Sequence, residues 1–256
     1  MKTNYHTHHV LCRHAKGHVE DYVKEAIKAG YTVLGMSDHG PLNNAPFKRM
    51  NLNEFKEIYL KEINESSILH KDEIKLLKGL EIEYVEGNDE YYMELLKDLD
   101  YLILGCHFYS GKKGYEDKSS YGINTKEALE EYTALIEEAL DTKFFKILAH
   151  PDLFLVGYPS FDAFAEECAK RIIKACIRNQ VIIEFNANGL RRGQKQFIDE
   201  TNYAYPNNHF FQIVKQYGGK VIVGSDCHDP KLLDDEYMQK ARLIAKEMGL
   251  DVIEEI

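Results

Sequence analysis

Near its start the chain reads Tyr5-His6-Thr7-His8-His9-Val10-Leu11-Cys12-Arg13-His14-Ala15. On an extended strand side chains alternate with period two, so His6 and His8 share a face. Two imidazoles on one face can reach one ion at the roughly 2.0–2.1 Å of a Zn–N bond. Alone, such a pair is equally well read as a surface cluster. The same residue types recur, however, at the ends of one predicted strand after another: Asp38-His39, Glu81 with Glu83, His107, His150-Pro151-Asp152, Asn186 with Asn188, and Asp226-Cys227-His228. Seven of the eleven histidines (His6, His8, His14, His39, His107, His150 and His228) fall at or just after these ends. Burying so many polar rings without partners is costly, and several metal ions would satisfy them.

Imidazole mixed with carboxylate suits Zn²⁺, Fe²⁺ or Mn²⁺ better than Ca²⁺ or Mg²⁺. Ions of this kind make a nucleophile from water near neutral pH and clamp an oxyanion during in-line displacement. Their charge would leave a strongly positive pocket inside an acidic chain of formal net charge −10. A small phosphate ester is the natural substrate of such a pocket. The acidic balance argues against nucleic acid as a general partner.

The elements that must hold these groups follow from hydrophobic pattern. Strands are predicted at 2–6, 32–37, 74–85, 101–106, 146–149, 181–185 and 220–225, nearly all followed by helices. The longest helix, 51–70, has an imperfect stripe of Leu52, Phe55, Ile58, Tyr59, Glu62 and Ile63. The segment between Arg192 and Asn208 reads as irregular. Seven strands with helical crossovers predict a parallel (β/α) barrel, whose active site forms at the C-terminal ends of the strands. No linker or repeat divides the chain, so residues 1–256 are expected to form one domain. The chain has no run of 18 apolar residues and no basic-then-apolar start, so neither a membrane span nor a signal peptide is expected. Five cysteines without metal-finger spacing fit a reduced, cytoplasmic protein.

Other residues carry weaker signals. Arg191 and Arg192 follow the sixth strand, where a guanidinium could grip phosphate oxygens; Arg191 is preferred. The 108–124 loop is long enough to be functional, with Phe108, Tyr109 and Tyr115 as candidates for holding substrate. Lys112, Lys113 and Lys118 are read as solvated loop charges. Glu83 either supports a ligand or is a solvated strand residue. His9, His18, His70 and His209 are expected to be surface or structural, and Cys12, Cys106 and Cys227 to be small core residues.

Taken in order, the motifs resemble those of the PHP (polymerase and histidinol phosphatase) superfamily. The matching pieces are His6-Thr7-His8 with His14-Ala15, Ser37-Asp38-His39, Gly79-Leu80-Glu81, His107, His150-Pro151-Asp152 and Ser225-Asp226-Cys227-His228. Within it the chain is most similar to the monofunctional histidinol-phosphatases, through Ser37-Asp38-His39-Gly40-Pro41-Leu42 and the Asn186–Arg191 stretch.

The resemblance implies a distorted TIM-like (β/α)₇ barrel with three divalent ions, Zn, Fe or Mn. One ion would take His6, His8, Glu81 and Asp226. Another would take Glu81, His107 and His150, and the last His14, His39 and His228. Asp38 would orient His39 or another ligand. The implied reaction converts L-histidinol phosphate and water to L-histidinol and phosphate, a step of histidine biosynthesis. The expected route is in-line attack by a metal-bridging hydroxide, with Arg191 on the phosphoryl oxygens and either Asp226 or a bound water as acid. One departure is that Leu153–Gly157, after His150-Pro151-Asp152, carries no basic residue. The rival readings are a PHP phosphoesterase for another small ester or nucleotide, an amidohydrolase on a similar barrel, and a non-catalytic metal-binding scaffold.

Overall fold

Short runs rich in Val, Ile and Leu, apolar on both faces, are what a parallel sheet covered by helices requires. In the computed structural model, which describes residues 1–42, 48–109 and 118–256, they form β1 (Thr3–Asn4), β2 (Val33–Met36), β3 (Lys75–Ile82), β4 (Tyr101–Leu104), β5 (Ile147–Leu148) and β6 (Ile182–Asn186). A short hairpin of β7 (Gln194–Gln196) and β8 (Thr201–Tyr203) follows, then β9 (Lys220–Gly224) and β10 (Asp251–Val252). The main sheet runs β1-β2-β3-β4-β5-β6-β9-β10, every pairing parallel.

The sheet curls into a distorted TIM-like barrel, and its two ends are finished differently. Past β1 and β9 the chain forms a parallel bridge between Thr7 and Cys227. There His8 N donates to Cys227 O at 3.0 Å and Asp226 N to His6 O at 2.9 Å. At this C-terminal rim the seven predicted strands close on one another. At the opposite end β10 widens the ring, with Ile253 N donating to Val221 O at 2.8 Å and Tyr5 Oη to Glu254 O at 2.9 Å. The expected count of seven is therefore corrected by an eighth strand, and the segment expected to be irregular contains the β7–β8 hairpin. Two-residue strands such as β10 are too short to show a period of their own.

The helices are α1 (Val19–Lys28), α2 (Leu52–Glu54), α3 (Leu60–Leu69), α4 (Asp89–Leu95), α5 (Lys126–Asp141), α6 (Ala163–Asn179), α7 (Ala187–Arg191), α8 (Asn208–Tyr217) and α9 (Glu236–Glu247). Side chains of Thr125, Asp162, Asn207 and Asp235 cap the starts of α5, α6, α8 and α9. Between α2 and α3 lies a π-helical turn, Phe55–Tyr59. Its wider turn shifts the helical phase, so Phe55, Tyr59 and Ile63 are buried while Leu52 and Ile58 face solvent. That shift accounts for the imperfect stripe of the sequence.

Inside the barrel a small cluster includes Tyr5, Val33, Tyr101, Ile103, Ile147 and Ile182. Tyr101 crosses the lumen and donates to Tyr5 O at 2.6 Å. A Cβ at Gly35 or Gly79 would lie 2.1 or 2.3 Å from Tyr101 atoms, so both strands need glycine there. This packed plug is the floor on which the polar rim stands.

Candidate metal centre

Glu81 is the hub of the rim. It sits near the end of β3, 1% exposed. Its Oε1 lies 3.0 Å from His150 Nε2 and 3.4 Å from His107 Nε2. Its Oε2 lies 3.1 Å from His39 Nδ1, 3.4 Å from His6 Nε2 and 3.5 Å from His8 Nε2. One carboxylate thus faces five imidazoles contributed by the ends of β1, β2, β4 and β5.

The tautomers follow from the outer hydrogen bonds. His6 Nδ1 lies 2.7 Å from Glu184 Oε1, which accepts its N–H and leaves the Nε2 lone pair facing inward. That Nε2 points at His8 Nε2 only 3.1 Å away. Two imidazole nitrogens converging at this distance, with Glu81 and Asp226 carboxylates alongside, are arranged as ligands of one cation. Asp226 Oδ1 is 3.2 Å from His8 Nε2. His107 Nδ1 pairs with Glu83 Oε1 at 3.0 Å, so its Nε2 also turns inward. His14 and His228 spend Nδ1 on the carbonyls of Cys12 (2.9 Å) and Asp226 (3.3 Å) and stack on one another, centroids 4.7 Å apart. His8, His39 and His228 hold ligand atoms within reach of one point, as do His6, His8 and Glu81, and His39, Glu81 and His107. All nine expected ligands are therefore drawn to one rim, and their chemistry fits divalent ions.

Charge follows the same plan. Burial would raise the acids, yet the surrounding imidazoles hold Glu81 and Asp226 well below the usual carboxylate range. Burial also works against charge on His8, but Asp226 and Asp38 overcome it and hold its pKa up at about 9. Burial and the neighbouring His8 push His39 and His228 down to about 4 and about 3. His150 and Asp226 adopt left-handed backbone, with φ of 29° and 46°. Non-glycine residues hold such angles at a cost of about 1–3 kcal/mol, here at the turns that aim two candidate ligands.

Among the supporting residues, Glu184, Arg49 and Tyr59 were not marked by the sequence reading. Glu184 accepts from His6, from Asn186 Nδ2 at 2.8 Å and from His150 N at 3.2 Å. The readable signal was an acid inside the apolar run of β6, in phase with Asn186. Asn186 and Asn188 donate to Asp226 Oδ2 at 3.1 and 3.2 Å. Glu83 is buried between His107 and Arg49, so of its two readings the supporting one holds. His9 is buried and pairs with Asp38, the structural alternative for that residue. Asp38 stands beside the second of its two expected partners, another candidate ligand. It accepts the backbone N–H of His39 at 2.8 Å, but its carboxylate faces the rings of His9 and His8 (3.5 Å) rather than that of His39. Tyr59, at the end of the π turn, fixes this corner by accepting from Asp38 N at 3.2 Å and donating to Gly79 O at 2.9 Å.

The rim opens into a cleft of about 600 Å³ lined by candidate ligands together with Phe108, Ser119, Tyr121, Asn188 and Arg192. The two arginines, of which Arg191 was the expected phosphate ligand, are placed differently. Arg191 donates to Asp235 at 2.8 and 3.0 Å, to Ser225 O at 2.6 Å and to Leu232 O at 2.9 Å. These bonds consume its guanidinium in joining α7 to α9. Arg192 instead reaches the cleft, its guanidinium carbon 5.2 Å from the Tyr121 ring centre and 5.9 Å from that of Tyr205. Phe108 lines the cleft as expected. Tyr109 does not: it packs half-buried against the core with Lys118 over its ring. Tyr115, Lys112 and Lys113 lie outside the described residues. In place of a basic residue in Leu153–Gly157, Lys195 Nζ caps the carbonyls of Leu155, Val156 and Tyr158 at 2.8, 3.0 and 2.8 Å.

A ring of imidazoles and carboxylates on the C-terminal rim of a parallel barrel defines a metal-binding hydrolase. The PHP domain family model matches residues 4–188, and the chain belongs to that family. Arg191, Arg192, Asp226 and His228 lie beyond the matched stretch. A Clostridium novyi protein named as a probable phosphatase is 26% identical over 225 residues, covering 87% of this chain and 77% of the relative. A probable phosphatase of Acetivibrio thermocellus is 27% identical over 226 residues, covering 87% and 78%. The fold matches the crystal structure of the Lactococcus lactis histidinol phosphate phosphatase in complex with zinc, L-histidinol and phosphate. The TM-score is 0.73 at 23% identity, covering 98% of this chain and 95% of the other. Among the described residues no helix is long and apolar enough to cross a membrane.

Proposed function

We propose that this chain, as one domain over residues 1–256, hydrolyses L-histidinol phosphate to L-histidinol and phosphate. The observation that carries the reading is the convergence of His6 Nε2 and His8 Nε2 on Glu81 and Asp226, beside a cleft with Arg192 at its wall. His6, His8, Glu81 and Asp226 would hold one divalent ion, Glu81, His107 and His150 a second, and His14, His39 and His228 a third. Bound Zn, Fe or Mn ions would supply a nucleophile from water and neutralise charge at the phosphoryl group.

The chain's own groups do the rest. Arg192, beside the rings of Tyr121 and Tyr205, donates to phosphoryl oxygens, its planar guanidinium suited to bidentate contact. Asn186 and Asn188 keep Asp226 oriented as a carboxylate. Asp226, or a water beside it, carries the proton lost by the attacking water to the departing alkoxide oxygen. Phe108 and Tyr121 offer aromatic faces to the imidazole of the substrate. The product is a small alcohol, and the path is that of histidine biosynthesis in the cytoplasm.

The test is phosphate release from L-histidinol phosphate beside sugar phosphates, nucleotides and phosphoserine, before and after chelation and Zn²⁺ or Mn²⁺ readdition. A large kcat/KM preference for L-histidinol phosphate, lost on chelation, is the expected result. Metal-dependent hydrolysis of the panel without that preference would move the protein to a PHP phosphoesterase for another small ester.

A further inference from the structure

The imidazoles of the rim are not backed alike. Behind His6 stands Glu184, whose other donors are the neutral Asn186 amide and His150 N–H. Behind His8 and His9 stands Asp38. Behind His107 stands Glu83, and there, alone among the described residues, a fixed cation is added. Arg49 Nη1 meets Glu83 Oε2 at 2.7 Å and Arg49 Nη2 meets Oε1 at 3.0 Å, with both side chains 3% exposed. Gly40 O, accepting from Arg49 Nη1 at 3.0 Å, locks the guanidinium in place. His150, proposed to share an ion with Glu81 and His107, has its buried Nδ1 without a hydrogen-bond partner among the described residues.

A carboxylate that accepts the outer N–H of a histidine makes the inner nitrogen a stronger ligand. A guanidinium sharing the same oxygens in a dry setting withdraws that charge. Resting on the ligand sets proposed above, we infer that Arg49 is a tuning residue: by neutralising Glu83 behind His107 it makes the ion held by Glu81, His107 and His150 the most loosely bound of the set. Poorer donation from His107 would also leave an ion held there more electrophilic.

Stepwise competition with a chromophoric chelator, with ions counted per protein by elemental analysis, tests this on the Zn²⁺-loaded enzyme. Wild type is expected to surrender one ion ahead of the others. Arg49→Met should hold that ion about tenfold more tightly and Glu83→Gln about tenfold less, the scale seen for outer-shell partners of metal ligands. Arg49→Lys, which keeps the charge, should stay near wild type. The double variant should match Glu83→Gln, because Arg49 acts through Glu83. A gain of affinity in Arg49→Met is the decisive sign, since damaged packing can only loosen ions. Unchanged or weaker binding in that variant, or equal effects on every ion, overturns the inference. Should Arg49→Met fail to fold, Glu83→Gln decides: selective loosening of the first ion supports the inference, and uniform loosening overturns it. A wild-type chain that binds no ion at all would instead overturn the ligand sets themselves.

Discussion

Arg191 and Arg192 are neighbours in sequence and alike in charge, yet they do different work. Arg191 has its donors committed to Asp235, Ser225 and Leu232. Arg191→Ala should therefore cost about 2–3 kcal/mol in urea unfolding, the scale of charged hydrogen bonds lost in a mostly buried setting. Its ion content and its KM should stay near wild type. Arg192 stands at the cleft wall over Tyr121. Arg192→Ala should leave stability within about 0.5 kcal/mol, as exposed substitutions do. It should reduce kcat/KM about 10- to 100-fold through loss of one or more charged hydrogen bonds. Unfolding curves and steady-state kinetics on the two variants check both statements. The opposite pattern would return the phosphate-binding role to Arg191.

Strands place the acids, and neighbouring strands make room for them. Glu81 on β3 leans over Gly105, just past β4, where a Cβ would come 2.5 Å from its Oε1. Glu184 on β6 leans over Gly224 on β9, where a Cβ would come 1.8 Å from its Oε1. Gly105→Ala and Gly224→Ala should each displace a carboxylate and lower ion affinity at least tenfold, Gly224→Ala the more severely. Gly122, where a Cβ meets nothing within 4 Å, is the control and should bind ions as wild type does when changed to alanine. Equilibrium dialysis with elemental analysis reads the result. Wild-type affinity in Gly224→Ala would mean that Glu184 does not position His6. The π turn belongs to the same scale, because it rotates Tyr59 onto Asp38 N and Gly79 O and so ties a helix to the rim.

Across the whole molecule the barrel floor is apolar and its rim buries a set of acids, Asp38, Glu81, Glu83, Glu184 and Asp226. Ions that bind the folded rim and not the unfolded chain stabilise the fold by mass action, about 2.7 kcal/mol per site at a hundredfold excess over Kd. For a chain of this size 1 kcal/mol moves Tm by about 2–4 °C. Chelation should thus lower Tm by at least about 5 °C, and Zn²⁺ or Mn²⁺ should restore it. Differential scanning calorimetry before and after dialysis against chelator checks this. A Tm indifferent to metal would mean that the rim contributes no binding energy to the native state.

Seven of the barrel's strands, the barrel class and the polar groups on its rim were legible in the sequence alone. Those depend on local pattern: apolar runs bounded by helices, and His, Asp or Glu at each strand end. It placed His6, His8, Glu81 and Asp226 among the candidates because ligand chemistry belongs to residue type. What stands behind each ligand was settled only in three dimensions. Glu184 reaches His6 across 178 residues of sequence and Arg49 reaches Glu83 across 34, and no local period encodes such pairings. The choice between Arg191 and Arg192 also waited on the fold. It depends on which side chain α9 captures through Asp235, and two adjacent arginines look the same until that helix is in place. β10, too short to carry a period, is a strand because the edge of β9 offers it hydrogen bonds, and β7 and β8 are strands because they pair with each other.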